Sequence, residues 1–305
     1  MTVRIALRLA IAVAVCICIA SVAQVAIPGQ AAQAAVAQVG ARHVSKAAAR
    51  PAGVVAKAGE LLDLTTGKRL WSRDVRAKLP IASITKVMTA MVVLSAGDLN
   101  RKIRVTQAAV NYALDHSAGS AGLRAGDVLT AGQLLQALLL PSGADAAYLL
   151  SRSYGPGWRK FVRKMNATAA RLGMTRTHFA NYDGLPWPTE TSTYSTARDV
   201  VVLGKAAMKN TTFRKIVAER GHSIAATSQH HKYHWANTDL LLRRYRGAIG
   251  IKTGFTTAAG YCLLFEARRH GTTLIGVVLD STNTNTTTRF TAAAKLLNWG
   301  FARVG

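Results

Sequence analysis

The stretch "IASITKVMTA", residues 81–90, places Ser83 and Lys86 in a run of residues that is otherwise almost wholly apolar. The apolar run continues through residues 91–94 before "SAGD" ends it. Residues three apart on a helix lie on the same face, about one turn from each other, so Ser83 and Lys86 are predicted to be neighbours. The positions further along this face are apolar, so the polar face is only one turn long.

A helix that is apolar nearly all round is typical of a buried helix. Burial without a partner lowers the pKa of a lysine, and a neutral amine beside a hydroxyl can act as a general base. Nucleophilic catalysis uses this pair, because the base removes the serine proton as the oxygen attacks an acyl group. Since a lone Ser-x-x-Lys also arises by chance, the hypothesis needs further motifs.

Strand-like runs lie at both ends of the chain, with a long helical region between them. Residues 53–74 predict a hairpin around "TTGK", and three strand-like runs follow residue 246 before a closing helix in "TRFTAAAKLLNWGF". From Pro80 to about Gly221 the pattern is largely helical, in "TAGQLLQALLL", "GADAAYLLSRS", "GWRKFVRKMNATAARLGM", "STARDVVVLGKAAM" and "FRKIVAER". We predict an α+β fold with one antiparallel sheet built from N- and C-terminal strands, flanked by helices, with a helical subdomain. Such a sheet brings the regions near residues 83 and 252 together.

The first residues have the order of a secretory signal peptide. Residues 1–37 contain two early arginines, an apolar stretch and small residues that offer Ala-x-Ala cleavage sites. The alternative is an uncleaved membrane anchor, because residues 9–27 are long enough to span a bilayer. We predict a linker over residues 38–52 and a catalytic domain over residues 53–305.

The chain of 305 residues carries a formal net charge of +25, and half of its residues are hydrophobic. On an exported protein such charge favours anionic envelope polymers and lipid headgroups rather than nucleic acid. There is no Gly-rich phosphate loop, and basic residues are not interleaved with aromatic ones. The alternative is a solvated basic surface with no partner.

The cysteines and histidines do not suggest a metal site. Outside residues 1–37 the sequence has a single cysteine, Cys262, which is predicted to be a small core residue without a disulfide. His230, His231 and His234 lie in "SQHHKYHW", where no carboxylate or cysteine is near in sequence. This pattern favours a polar strand or loop over a metal site.

Three longer motifs resemble the active-site blocks of penicillin-binding proteins, in the same order and at similar spacings. They are "PIASITKVMTA", "GLRAGDVLTAGQLLQALLLPSGADAA" and "GIKTGFTTAAGYCLL". The best resemblance is to the low-molecular-mass D-alanyl-D-alanine carboxypeptidases, over residues 53–303. It implies the penicillin-binding/β-lactamase fold and no cofactor or metal. The implied activity is hydrolysis of the D-Ala-D-Ala end of peptidoglycan stem peptides through an acyl-enzyme, and β-lactams would acylate the same serine.

The resemblance also implies a role for each matching residue. Ser83 is the expected nucleophile, Lys86 its base, and Ser142 relays protons between the lysine and the leaving amine. Lys252 would attract the anionic end of the peptide. The remaining expected substrate-binding residues are Thr253, Gly254, Phe255 and Arg289.

These substrate-binding residues have distinct expected contacts. Thr253 would hydrogen-bond the substrate carboxylate, and Gly254 would let the strand approach the substrate backbone. The backbone N–H groups of Phe255 and of the nucleophile would form the oxyanion hole. Arg289 would hold the terminal carboxylate, the alternative being an ordinary charge at a helix start.

One departure from the family pattern leaves other functions open. The second block usually reads Ser-x-Asn, whereas Ala144 occupies its third position here. Weaker substrate binding would follow from this change. One alternative is a non-catalytic penicillin- or wall-binding protein. A D,D-transpeptidase would use the same residues as the carboxypeptidase.

The third alternative is a β-lactamase, which shares the fold and the Ser-Lys pair. The expected Glu-x-x-Leu-Asn pattern is absent, and the loop before Asp199 offers only Asp183 and Glu190 as acids. We therefore predict slow deacylation.

The expected location is extracellular or at the cell wall, with a membrane tether if the signal is retained. The sequence stops at Gly305 without the β-rich stalk and anchor helix of many relatives. We therefore expect a mature protein that is released or held by charge.

Overall fold

The computed structural model describes residues 50–282 and 284–304. The predicted signal peptide and all but the last three residues of the predicted linker lie outside these ranges. Within them, every helix is too short or too polar to cross a membrane.

The strands and helices of the described chain have the following bounds. The strands are β1 (Ala58–Asp63), β2 (Arg69–Arg73), β3 (Leu79–Pro80), β4 (Lys102–Arg104), β5 (Val128–Thr130), β6 (Tyr194–Ser195), β7 (Gly221–Ile224), β8 (Tyr233–Ala236), β9 (Ala248–Thr256), β10 (Gly260–Arg269) and β11 (Thr272–Leu279). The helices are α1 (Thr85–Ala96), α2 (Gln107–Asp115), α3 (Ala131–Leu139), α4 (Ala144–Tyr154), α5 (Trp158–Arg171), α6 (Ala197–Ala207), α7 (Thr211–Ala218), α8 (Leu241–Arg244) and α9 (Thr288–Val304).

The central sheet joins the two ends of the described chain. Its strand order is β2-β1-β11-β10-β9, and the pairs β1/β11, β10/β11 and β9/β10 are antiparallel. Leu61 of β1 lies opposite Gly276 of β11, and Cys262 of β10 lies opposite Gly254 of β9. The predicted α+β fold with a sheet built from both termini is confirmed, and β9 is left as an edge strand.

Helices cover both faces of this sheet. Gly204 of α6 packs against Leu264 on one face, and Gly300 of α9 packs against Leu61 and Leu274 on the other. Successive side chains of a strand point to opposite faces, which is why the middle of β10 and the second half of β11 are mainly apolar and buried on both faces. The sheet is therefore a rigid central layer, and its β9 edge faces the helical region.

The helical region differs from the prediction in its short elements. All five predicted helices form, and Thr196 caps α6 as expected by accepting from the backbone N–H of Asp199. The prediction missed α2 and the strands of two to four residues that form the small ladders β3/β6, β4/β5 and β7/β8. Strands of two to four residues are too short for periodicity to reveal them, whereas α2 is as long as the predicted α3 and was missed despite its nine residues.

Cys262 and the histidines lie in structural positions. Cys262 is fully buried in β10, as predicted, and burial raises the pKa of its thiol to about 12. His234 is on β8, while the Nδ1 atom of His231 lies 2.9 Å from a carboxylate oxygen of Asp127. The sequence neighbourhood did not indicate this carboxylate. Within the described ranges, no three side chains with metal-binding chemistry converge.

Candidate active site

Ser83 lies in a short turn that leads into α1. The turn is a 3₁₀ helix over Ala82–Ile84, and we call residues 81–84 the Ser83 turn. Ala82 has a φ of +46°, a left-handed conformation that residues other than glycine seldom adopt. Lys86, in the first turn of α1, is only 1% exposed, and its Nζ lies 3.1 Å from Ser83 Oγ. The structure thus brings the predicted Ser-Lys pair into hydrogen-bond contact.

Lys86 is held in place by a second contact. Its Nζ donates to the carbonyl oxygen of Asp183 at 3.2 Å, so the amine lies between Ser83 and the 181–185 loop. Burial lowers the pKa of Lys86, while Asp183 and Asp145 act in the opposite direction. A buried amine of lowered pKa beside a hydroxyl has the properties of a general base.

The carboxylate of Asp183 is engaged elsewhere. It accepts from the hydroxyl of Tyr112 at 2.7 Å and from the backbone N–H of Leu185 at 3.1 Å. The Tyr112 oxygen in turn accepts from the indole N–H of Trp187 at 2.7 Å. Tyr112 is on α2, the helix that the sequence analysis missed, so its place beside the site was not predicted.

The second predicted serine occupies a strained turn between α3 and α4. Ser142 has a φ of +67°, and its Oγ is buried without a hydrogen bond inside the described ranges. Ala144 is fully buried at the start of α4, and its N–H donates to Gly119 at 2.7 Å. The carboxylate of Asp145 accepts from the Ser120 hydroxyl at 2.7 Å. These contacts fix the turn against the 119–123 loop.

Strand β9 passes directly beside the Ser83 turn. A Cβ atom on Gly254 would lie 2.8 Å from the Ile81 carbonyl oxygen and 3.3 Å from Ala82 Cβ. Real Cβ atoms do not approach a backbone oxygen so closely, so this strand position requires glycine. The expectation was that Gly254 leaves room for the substrate backbone. In the structure, its missing side chain lets β9 pack against the Ser83 turn.

The predicted substrate-binding lysine is buried. Lys252 is 1% exposed, and its Nζ lies 3.5 Å from Thr253 Oγ1. Burial lowers its pKa well below the usual lysine value, and the positive charges of Lys86 and Arg289 lower it further. Asp239 opposes this shift. The packing of Gly254 against the Ser83 turn shows that the β9 and α1 motifs meet.

Arg289, in the first turn of α9, reaches back to β9. Its Nη1 donates to the Gly254 carbonyl oxygen at 3.0 Å, and its Cζ lies 4.9 Å from the centre of the Tyr261 ring. Phe255 is 44% exposed, and its ring stacks on the Tyr261 ring with the two centroids 4.2 Å apart. Arg289 thus contacts β9, in contrast to an ordinary solvated charge at a helix start. We call residues 252–255 of β9, together with Arg289, the β9 surface.

A further segment, residues 237–239, ties the motifs together. The Oγ1 atoms of Thr238 and Thr253 lie 2.7 Å apart, and the Thr238 N–H donates to Leu140 at 3.1 Å. Thr238 therefore connects β9 to the residue that follows α3, two positions before Ser142. The stretch "WANTDLLLRRYRG" belonged to the family resemblance, but no residue in it was predicted to serve the site.

These groups together have the chemistry of a serine acyltransferase: a hydroxyl, a buried amine and a cationic strand that face one another. Comparison with known proteins agrees with this class. Residues 45–283 match the family model described as D-alanyl-D-alanine carboxypeptidase, Peptidase_S11.

Two relatives and one solved structure illustrate the similarity. The D-alanyl-D-alanine carboxypeptidase of Streptomyces sp. strain K15 is 38% identical over 261 residues, covering 82% of this chain and 88% of that protein. DacB2, a D-alanyl-D-alanine carboxypeptidase of Mycobacterium tuberculosis, is 40% identical over 245 residues, covering 79% and 80%. The crystal structure of the Streptomyces K15 DD-transpeptidase superposes with a TM-score of 0.78 at 38% identity, covering 83% of this chain and 100% of that one.

The chain belongs to the D-alanyl-D-alanine carboxypeptidase family. The predicted resemblance to low-molecular-mass penicillin-binding proteins and the predicted serine carboxypeptidase activity are confirmed.

Proposed function

We propose that Ser83 is the nucleophile that attacks the D-Ala-D-Ala bond of a peptidoglycan stem peptide, with Lys86 as its base. The proton of Ser83 Oγ passes to Lys86 Nζ as the new acyl–oxygen bond forms. The carbon–nitrogen bond then breaks, and the leaving D-alanine amine takes up a proton through Ser142. Water next attacks the acyl-enzyme in the reverse sequence and releases the shortened peptide. The 3.1 Å contact between Lys86 and Ser83, on a fully buried amine, carries this proposal.

The β9 surface supplies the substrate contacts in this proposal. Lys252, Thr253 and Arg289 bind the terminal carboxylate, an anionic group that suits a buried lysine, a half-buried arginine and a hydroxyl. The backbone N–H groups of Phe255 and Ser83 stabilise the oxyanion as charge develops on it. The close packing of Gly254 on the Ser83 turn supports this arrangement, because Phe255 and Ser83 are the chain neighbours of the residues in contact.

A transpeptidase outcome uses the same acyl-enzyme with an amine in place of water. The Streptomyces K15 relative carries both names, carboxypeptidase and DD-transpeptidase. The test is incubation of diacetyl-Lys-D-Ala-D-Ala with and without an amine acceptor. A dominant aminolysis product would make this chain chiefly a transpeptidase.

A β-lactamase outcome is disfavoured by the position of the two candidate acids. The carboxylate of Asp183 is held by Tyr112 and Leu185, and Glu190 is exposed. Neither supplies a free carboxylate beside the acyl group, so we expect the penicilloyl-enzyme to be long-lived. Nitrocefin turnover above about one per second, a rate typical of enzymes, would contradict this expectation.

The decisive experiment is labelling with fluorescent penicillin, combined with release of D-alanine from diacetyl-Lys-D-Ala-D-Ala. In Ser83→Ala, labelling should disappear and D-alanine release should fall by about 10³-fold or more, as for loss of other serine nucleophiles. The control is Ser72→Ala, at an exposed position on β2. Labelling of Ser83→Ala at the normal rate would refute the assignment, and a wild-type protein that neither labels nor releases D-alanine would be a binding protein only.

The same assay measures the effect of Ala144. In Ala144→Asn, we expect the KM for the peptide to fall, because an amide is restored where the family pattern has one. Since Ala144 is fully buried, the larger side chain should also lower the free energy of unfolding by about 1–3 kcal/mol. An unchanged KM in a folded variant would show that this chain does not use the position.

We further propose that the protein is exported, that residues 1–37 are a cleaved signal, and that the strong positive charge of the remaining chain binds anionic wall polymers. The cell-wall substrate of the family supports export. N-terminal sequencing of protein from the culture medium and the cell wall tests cleavage. Retention on an anionic polymer that weakens between low and high salt tests the charge interaction. Retention that is indifferent to salt would contradict it.

A further inference from the structure

Ser142, the proposed proton relay, has no hydrogen bond of its own to hold its hydroxyl. Its Oγ is buried, and no group in the described part of the chain bonds to it. Its backbone has a φ of +67°, a left-handed conformation that residues other than glycine seldom adopt. The place of the hydroxyl is therefore set by the backbone of residues 141–144, which we call the Ser142 turn.

The 119–123 loop holds the Ser142 turn through backbone contacts. The carbonyl oxygen of Gly119 accepts from the N–H of Ala144 at 2.7 Å. A Cβ on Gly119 would lie 3.2 Å from the carbonyl oxygen of Ser142, closer than most real Cβ contacts. From another side, the buried indole N–H of Trp235 donates to the carbonyl oxygen of Ala121 at 2.8 Å. A shift of this loop would therefore move the relay with it.

Asp145 ties the loop to the start of α4. It lies in the first turn of that helix, three residues after Ser142, and is 1% exposed. Its Oδ2 accepts from the hydroxyl of Ser120 at 2.7 Å and from the N–H of Leu123 at 3.3 Å. The N–H of Ala121 lies 3.0 Å from each of the two carboxylate oxygens. Hydrogen bonds to a carboxylate are roughly twice as strong as neutral ones, so this one group holds much of the loop.

Gly143 packs between the loop and this carboxylate. A Cβ on Gly143 would lie 2.6 Å from Asp145 Oδ1 and 2.9 Å from the Cβ of Ala121. The φ of Gly143 is −59°, so it is this packing, and not the backbone conformation, that requires a glycine. Gly143 directly follows Ser142 in the chain. The carboxylate is therefore in contact with the loop and with the relay's chain neighbour at once.

We propose that Asp145 is a positioning residue that fixes the Ser142 hydroxyl where it can deliver a proton to the leaving amine. The inference rests on the proposed role of Ser142. As the carbon–nitrogen bond breaks, its electron pair stays on the nitrogen, which takes a proton from Ser142 Oγ. The protonated Lys86 then returns a proton to that oxygen. A displaced hydroxyl slows this transfer, because a general acid must lie within hydrogen-bond reach of the atom it protonates.

The effect of Asp145 should therefore depend on the leaving group. The test substrate is a thioester of diacetyl-Lys-D-Ala in which thiolactate replaces the terminal D-alanine, so that sulfur replaces the scissile nitrogen and the carboxylate is kept. A thiol has a pKa of about 8.5, so the sulfur leaves as a thiolate with the electron pair and needs no proton. The amide needs the relay, whereas the thioester does not.

The ratio of the two rates separates positioning from any change in the base. Burial lowers the pKa of Lys86, and the charges of Asp183 and Asp145 oppose this shift. Loss of the Asp145 charge therefore also affects Lys86. Both substrates need that base to activate Ser83, so this effect is common to both and cancels in the amide-to-thioester ratio.

The experiment measures kcat/KM for release of D-alanine from diacetyl-Lys-D-Ala-D-Ala and of thiolate from the thioester. Asp145→Asn keeps the size of the side chain but turns an NH₂ group towards the N–H donors of the loop, with which it cannot pair. We expect the amide rate to fall by about 10- to 100-fold, as for displacement of a catalytic group by about 1 Å. The thioester rate should fall by no more than about threefold, because it does not use the general acid.

The matched control is Asp199→Asn, at a buried aspartate in the first turn of α6. Like Asp145, it accepts from a hydroxyl and from a backbone N–H, those of Thr177 at 2.8 Å and of Arg176 at 2.9 Å. This variant should lose thermal stability while its amide-to-thioester ratio stays at the wild-type value. A ratio in folded Asp145→Asn that equals or exceeds the wild-type value overturns the inference.

A second variant covers the case in which Asp145→Asn does not fold. Ser120→Ala, at an exposed position, removes one donor to the carboxylate and leaves the two backbone N–H donors in place. The amide rate should fall by up to about fivefold, the factor that one hydrogen bond contributes, with the thioester rate unchanged. Exposed Ser72→Ala should change neither rate. An unchanged ratio in Ser120→Ala overturns the inference when Asp145→Asn is unfolded.

Ser142→Ala distinguishes failure of this inference from failure of the proposed function. It should lower the amide rate by about 10²-fold or more, with a much smaller effect on the thioester. Equal slowing of both substrates in Ser142→Ala would contradict the proposed relay, and a wild type that cleaves neither substrate would contradict the proposed activity. Selective slowing in Ser142→Ala without selective slowing in Asp145→Asn overturns the role of Asp145 alone.

Discussion

Lys86 is almost completely buried, and its proposed role as a base depends on that burial. The side chain is 1% exposed, and its amine contacts Ser83 and the Asp183 carbonyl. Burial that lowers the pKa of an amine also destabilises the folded protein whenever that amine is charged. The same desolvation that prepares the base thus reduces the stability of the fold.

This cost has a definite pH dependence. Between the lowered pKa of folded Lys86 and the usual lysine value of 10.5, the unfolded chain binds more protons than the folded one. The free energy of unfolding should therefore rise with pH across this window, by up to about 1.4 kcal/mol per pH unit for one lysine. In Lys86→Met, the free energy of unfolding should rise less steeply with pH than in the wild type. Urea unfolding at a series of pH values measures it.

Exposed Lys68→Met, in the turn between β1 and β2, is the control for that measurement. Its unfolding free energy should follow the wild-type pH dependence, because an exposed side chain is not desolvated by folding. A slope in Lys86→Met as steep as in the wild type would show that Lys86 is not the group responsible.

Ala82 and Ser142 show a second feature of the site at the scale of single residues. Both have a left-handed backbone, with φ of +46° and +67°, although neither is glycine. Such conformations cost about 1–3 kcal/mol and persist only where the surroundings impose them. Here the surroundings are the β9 strand, the 181–185 loop and the 119–123 loop. Ala82 directly precedes the proposed nucleophile and Ser142 is the proposed proton relay, so the fold holds these positions in place at a cost in backbone energy.

At the scale of elements, the 181–185 loop packs directly against the Ser83 turn. Gly184 has a φ of +81°, and a Cβ there would overlap the carbonyl oxygen of Ala82. Asn181 Oδ1 accepts from the N–H of Gly184 at 2.7 Å, which holds the loop in this conformation. The loop therefore sets the position of both Ser83 and Lys86.

Gly184→Ala should separate the loop from the Ser83 turn. We expect a loss of about 3 kcal/mol or more in unfolding free energy, from left-handed strain and backbone overlap, with a large drop in penicillin acylation. Chemical denaturation and labelling rates of the remaining folded protein measure the two effects.

Gly173→Ala is the matched control for this prediction. Gly173 also has a positive φ, +75°, but nothing lies within contact distance of an added Cβ. We expect a cost of about 1–2 kcal/mol with labelling unchanged. Equal effects of the two variants on labelling would show that the loop does not position the site.

At the scale of the whole molecule, the site lies where the sheet edge meets the helical region. The sheet face opposite α6 is covered by α9, through a core that contains Leu61, Phe265, Leu274 and Leu296. This core does not touch the reacting groups. It supports β9 through the sheet and through the start of α9, where Arg289 donates to the Gly254 carbonyl oxygen.

Leu296→Ala, on α9, tests this separation. The side chain is fully buried, so its loss should lower the unfolding free energy by about 2–5 kcal/mol. The acylation rate of the molecules that remain folded should be unchanged. Exposed Thr291→Ala, on the same helix, should alter stability by no more than about 0.5 kcal/mol. A slowed acylation rate in folded Leu296→Ala would mean that the middle of α9, and not only Arg289 at its start, shapes the site.

The sequence by itself determined the local pairs and the order of the elements. The spacing of Ser83 and Lys86 placed them on one helical face, and alternating or continuous apolar runs marked the sheet. The motifs around Ser142 and Lys252 identified the family. These signals are local, because helical and strand periodicity act over a few residues and survive in a single sequence.

Only the tertiary structure decided which distant groups complete the site. The hydrogen bond from Lys86 to the Asp183 carbonyl and the hydrogen bond from Tyr112 to the Asp183 carboxylate join segments far apart in sequence. It also assigned to Gly254 a packing contact with the Ser83 turn. No periodic pattern encodes such contacts, since they arise when separate elements pack, and packing depends on side-chain shape and backbone path throughout the chain.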